Sequence, residues 1–239
     1  MSRRIHSLLA VLGGSLLVAG MLSGCASGEA GGVPTPPATP GNDGTAEIAA
    51  AWLDGGAMVG VLLEGSSTCR PFADDVTYDD GVLRVSIMEP EGVCAHDLVP
   101  QGLAVALPAG VDAAQDLRVE VVGTEFRGET DLAGVAGLTP GTGIDGSQPS
   151  AGWAGPDVFA LLTWGSSSCQ PQVETAAVGA AGEISVTFVT PPGDRVCTFD
   201  MAPRVTAVEV PGVPAGAAYE AVLSGDAYDG ARVPIAGQP

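Results

Sequence analysis

Apolar residues recur at every second position in several short stretches of the chain. Leu83, Val85 and Ile87 share one face while Arg84 and Ser86 take the other. Ile184, Val186 and Phe188 stand opposite Ser185 and Thr187 in the same way. Leu103, Val105 and Leu107 form a third such row. Val208 and Val210 alternate with Glu209, and Leu117, Val119 and Val121 with Arg118 and Glu120. A two-residue period places one set of side chains on a core and the other in water, so these stretches predict half-buried strands. The run Met58 to Leu63, and its partner Val158 to Thr163, is apolar throughout. That suits a central strand covered on both sides, or a helical piece too short to be stable. No window sustains a 3.6-residue period.

The pattern is written twice. Gly65-Ser66-Ser67-Thr68-Cys69-Arg70-Pro71 recurs as Gly165-Ser166-Ser167-Ser168-Cys169-Gln170-Pro171. Trp52 precedes the first and Trp153 the second by a similar distance. Cys94, Asp97 and Pro100 recur as Cys197, Asp200 and Pro203, and the offset drifts only from 100 to 103. Matched cysteines, glycines and prolines in one order predict two homologous modules, 47–134 and 151–239, joined by a linker at 135–150. About five to seven short strands in roughly 85 residues suggest a small antiparallel β-sandwich. An immunoglobulin-like topology is the nearest analogy, and a barrel is the competing architecture.

The first 24 residues read differently. Arg3 and Arg4 precede an apolar stretch from Ser7 to Leu22, interrupted by Gly13, Gly14 and Ser15. It is shorter than the roughly 20 apolar residues of a spanning helix, and it reads as a secretory signal. Leu22-Ser23-Gly24-Cys25 then resembles the lipobox of bacterial lipoproteins. The resemblance implies a diacylglyceryl group on the thiol of Cys25, cleavage before it, and often a further acyl chain on its amine. Two chains hold a protein stably where one does not, so the expectation is a tether on the outer face of a cell membrane. Residues 25–46, after the lipidated Cys25, are Gly, Pro, Thr and Ala without an apolar period, as in a disordered linker.

Composition narrows the function. The chain has 239 residues and a formal charge of −19; its nine basic residues are all arginines. Two of them lie in residues 1–24, which hold no acid, leaving seven arginines against 28 acids, or −21. Such a chain has no electrostatic footprint for nucleic acid or anionic lipid. Acidity then serves solubility and repulsion from an anionic surface, while the lipid anchors. With 35 glycines and 19 prolines it is not a helical bundle. High Ala, Gly, Val and Arg without Lys is similar to the usage of actinobacterial lipoproteins.

The four remaining cysteines allow three pairings. The repeat selects Cys69–Cys94 and Cys169–Cys197, one bridge per module, as an exported protein permits. Zinc needs closer pairs and more histidine. Catalytic signals are weak. His96 is the one histidine of the exported part, and its counterpart is Phe199, so the position reads as packed or half-exposed. Lysine mechanisms are absent, and Gly65-Ser66-Ser67 is a turn, not a nucleophile elbow. Asp74, Asp75, Asp79 and Asp80 form an acidic loop whose oxygens make it a weak calcium candidate. In the second module that region is nearly uncharged. Asp97 and Asp200 match between copies and read as turn caps or acceptors of backbone amides. Gly65, Gly165, Trp52 and Trp153 are repeated structural positions.

These residues point to an all-β lipoprotein of two tandem sandwich modules, each with one disulfide, on the extracytoplasmic face. Its expected role is non-enzymatic, with no cofactor, binding an unknown protein or small molecule of the envelope. The alternatives are a carboxylate-dependent hydrolase and a purely structural spacer.

Overall fold

A computed structural model of the chain describes residues 45–124, 126–139, 148–180 and 182–239. The expected signal, Cys25 and all but the end of the expected linker lie outside the described residues. Residues 42–239 cluster as one compact unit.

The described residues are all-β, apart from one 3₁₀ turn at Asp54–Gly56. The first half holds β1 (Thr45–Ala46), β2 (Ala49–Leu53), β3 (Met58–Gly65), β4 (Phe72–Asp79), β5 (Val82–Met88), β6 (Val99–Ala106), β7 (Leu117–Val122) and β8 (Arg127–Leu132). The second holds β9 (Ser150–Gly155), β10 (Val158–Gly165), β11 (Val173–Val178), β12 (Glu183–Phe188), β13 (Ala202–Glu209), β14 (Tyr219–Gly225) and β15 (Tyr228–Ala236). In the first half one sheet runs β1-β8-β7-β5-β4 and another β2-β3-β6. In the second, the corresponding strands form one sheet, β11-β12-β14-β15-β9-β10-β13, because β15 pairs directly with β9.

Pairing is mixed where the sequence suggested an antiparallel sheet. β5 and β7 pair in parallel, as do β12 and β14. The cause is the intervening strand. β6 pairs with β3, and β13 with β10, so the chain crosses away from β5 or β12 and then returns beside it in the same direction. A parallel pair inside a sheet also departs from an immunoglobulin-like topology. The expected linker ends sooner than Ala46, since Thr45 and Ala46 pair with Arg127 and Gly128.

The alternating rows form the cores. Leu83, Val85, Ile87, Leu117, Val119 and Val121 meet Val59, Val61, Leu63, Leu103 and Val105 in one cluster, with Trp52. Val135 and Leu138, expected in the linker, pack against it. Ile184, Val186, Phe188, Ala221 and Leu223 meet Phe159, Leu161, Val208 and Val210 in another, with Trp153. Each fully buried Val, Leu, Ile or Phe side chain among them contributes about 1.5–3 kcal/mol.

The uniformly apolar runs have a different explanation from the alternating ones. β3 and β10 are covered on both faces because the two halves pack on each other. Val59 and Val61 turn inward, while Met58 and Leu62 join Ala51, Leu53, Ala160, Leu162 and Val205 in a third cluster built from both halves. Small residues let the backbones approach. A Cβ on Gly152 would lie 2.2 Å from the Trp52 carbonyl oxygen, and one on Gly102 would lie 2.3 Å from that of Val205.

Candidate functional site

Both predicted bridges are present, Cys69–Cys94 and Cys169–Cys197. Each closes a turn in which the cysteine amide donates to a serine carbonyl three residues back, Ser66 or Ser166. Asp97 and Asp200 hold these turns. The Ser67 amide donates to Asp97 Oδ1 at 3.0 Å, and the Ser167 amide to Asp200 Oδ1 at 3.0 Å. The second turn is more densely bonded. The Thr198 hydroxyl donates to Asp200, and the Thr198 amide donates to Ser168 Oγ at 3.1 Å. In the first turn the Ala95 amide makes the matching bond to Thr68 Oγ1.

Those donors favour the ionised acids. The Thr198 hydroxyl, then the Ser167 side chain and amide, hold the Asp200 carboxyl far below the usual carboxylate range. The Ser67 side chain and amide lower Asp97 in the same direction. A carboxyl whose pKa is depressed by folding stabilises above its unfolded value and stops doing so as pH falls through the folded one. Asp200→Asn should therefore lower the urea midpoint at pH 7, and the gap to the parent chain should close as pH falls below about 4. An unchanged gap at acid pH would contradict this assignment.

Beneath each turn lies a polar residue that the sequence reading passed over. Gln101 is buried and donates from Nε2 to the Ser66 carbonyl. At the repeat-related place, Arg204 donates to the Cys169 carbonyl at 2.8 Å and the Trp164 carbonyl at 3.0 Å. Gly65 and Gly165 make room for them: a Cβ on Gly165 would stand 2.9 Å from Arg204 Cζ, and one on Gly65 would stand 3.3 Å from Gln101 Cδ. Trp52 and Trp153 are buried in their cores, Trp52 donating to the Ala133 carbonyl at 2.8 Å. Arg70 donates to Gln170 at 2.8 Å and ties the two turns together.

The acidic loop is corrected. Asp74, Asp75 and Asp79 belong to β4, and only Asp80 lies in the tight turn with Gly81. A bulge between Ala73 and Asp75 turns Asp74 and Asp75 both outward, while Ala73, Val76 and Tyr78 pack on the core. Four residues of strand set Asp75 about 13 Å from Asp79. Among the described residues, no group of three or more His, Cys, Asp or Glu side chains could hold a metal ion. The position of His96 and Phe199 is also corrected. It is exposed in both copies, on the loop after the bridge, where Val93, Leu98, Val196 and Met201 are exposed as well. Asp97, beside His96, is committed to the Ser67 amide.

A groove of about 900 Å³ runs between the halves. Its lining is largely apolar, with Leu62, Leu63, Leu98, Phe126, Val158 and Ala207. Glu47 and Glu64 line it from the first half, Asp157 and Glu209 from the second. All four are exposed. The Asp157 carboxylate also accepts the Gly212 amide at 2.8 Å. The groove is the open margin of the interface cluster, which includes Leu62, Val158 and Ala207. Glu64 has a telling counterpart. At the repeat-related position stands Trp164, which is partly buried and packed against that cluster. One copy fills the margin with an indole where the other leaves it open beside a carboxylate. The trace of this in the sequence is the mismatch Glu-Gly-Ser-Ser against Trp-Gly-Ser-Ser within the repeat.

Among the described residues, no helix is long and apolar enough to cross a membrane. The chain has no significant match to any protein-family model, curated protein or solved structure.

Proposed function

We propose that the protein is a lipid-anchored, extracytoplasmic binding protein whose ligand lies in the groove between its two halves. The observation that carries this is the asymmetry at Glu64 and Trp164. Two similar halves packed for stability alone would gain by burying both margins alike, since exposed apolar floor costs free energy. Here Trp164 packs over one margin, while the other carries the exposed Glu64 and is lined by the partly or fully exposed Leu98, Phe126 and Val158. Each half then acts as one wall of the site. The lipobox at Leu22 to Cys25 supplies the anchor, and the Gly/Pro-rich segment lifts the body off the surface. A binding role fits better than hydrolysis, because His96 lies on an exposed loop and its neighbouring acid is engaged in a turn.

Two measurements test this. Cys25→Ala should move the protein from the membrane fraction to the medium; retention in the membrane would remove the tether. The released chain should bind Nile red, a neutral apolar dye, and Glu64→Trp should abolish that binding while leaving the circular dichroism spectrum unchanged. Equal dye binding by both chains would place the site elsewhere.

A further inference from the structure

Resting on that reading of the groove, we infer that its partner is an extended peptide segment in which apolar residues alternate with lysine or arginine. The floor calls for apolar side chains. The margins call for cations: every charged side chain lining the groove is an acid, two from each half. Among the described residues, none of Glu47, Glu64, Asp157 and Glu209 is in an ion pair. Four of the arginines are engaged elsewhere. Arg84 and Arg118 pair with Glu120, Glu129 and Asp131, and Arg232 with Glu183 and Glu220. Arg204 is committed to backbone carbonyls.

The carboxylates come from both walls, so a ligand with several separated cations matches them better than one with a single charge. A strand presents alternate side chains to opposite faces, which sends apolar groups to the floor and lets long basic side chains reach back to the rim. Complementary charge steers such a segment in and rejects acidic ones.

The test is isothermal titration calorimetry on the full Cys25→Ala chain in about 0.15 M salt. The probes are acetyl-Lys-Leu-Lys-Leu-Lys-Leu-amide, its Glu-Leu and Lys-Ser analogues, and octylamine. The Lys-Leu peptide should bind at least about tenfold more tightly than the other three. Replacing Glu47, Glu64 and Glu209 by glutamine should weaken it about tenfold, and replacing Asp74, Asp75 and Asp79 by asparagine should change it less than about twofold. The second triple removes the same charge from the outer face of β4, so equal weakening by both would show general attraction and overturn the inference. Equal binding of the Lys-Ser peptide or of octylamine would overturn it too. Nile red bound in the groove with no preference among peptides would refute the basic partner and leave the binding site standing. Loss of dye and peptide binding alike would refute both.

Discussion

Replacing Cys169 and Cys197 together by serine should lower the unfolding free energy by about 3–4 kcal/mol. The bridge spans 28 residues, and the entropy of the loop it closes in the unfolded chain sets that scale. The native contacts add to it. Cys169 supplies a carbonyl to the Arg204 guanidinium, a buried cation with no carboxylate in an ion pair among the described residues. If the turn loosens, that charge loses an acceptor, and a buried charge left without partners is costly. The first bridge spans 25 residues, nearly the same loop, but covers the neutral Gln101. Its removal through Cys69→Ser with Cys94→Ser should therefore cost somewhat less. Urea denaturation of the two double variants checks both the size and the order. A loss of under about 1 kcal/mol for the second bridge would contradict the account.

Gly152→Ala should destabilise the chain by about 3 kcal/mol, the upper part of the range for overpacking. Its new methyl would meet the Trp52 carbonyl oxygen at 2.2 Å, and a backbone atom cannot rotate away. β2 and β9 would have to separate, and the cluster formed by Ala51, Leu53, Met58, Leu62, Ala160, Leu162 and Val205 would loosen with them. Gly155→Ala is the control on the same strand. Its methyl would meet only Val158 Cγ1 at 3.3 Å, the end of a side chain that can adjust. Thermal unfolding of the two variants should separate them clearly. Equal behaviour would mean that the halves do not depend on close backbone contact.

How much of this was readable in the sequence depends on how local the cause is. The faces of Leu83, Val85 and Ile87, or of Ile184, Val186 and Phe188, follow from a two-residue period, and all six are buried as expected. The disulfide pairing followed from the repeat. β4 was hidden because its bulge puts two residues, Asp74 and Asp75, between Ala73 and Val76, breaking the period and leaving adjacent acids that resemble a loop. The starts of β6 and β13 were missed because Gln101 and Arg204 are polar at inward positions, where they serve the cysteine turns. Parallel pairing was out of reach, since it depends on which distant strands β6 and β13 pair with. The groove was least legible, because strand ends distant in sequence form it. Its one local trace is the replacement of tryptophan by glutamate before a matched glycine.

The most direct test of the central claim is methyl NMR of the full Cys25→Ala chain during titration with the Lys-Leu peptide. The account predicts shifts concentrated on Leu62, Leu98 and Val158, on the two walls of one groove. It predicts little change at Val93, Val196 and Met201, which are exposed on the loops beside the bridges but do not line the groove. Shifts at those loop residues, with Leu62 and Val158 unmoved, would contradict it.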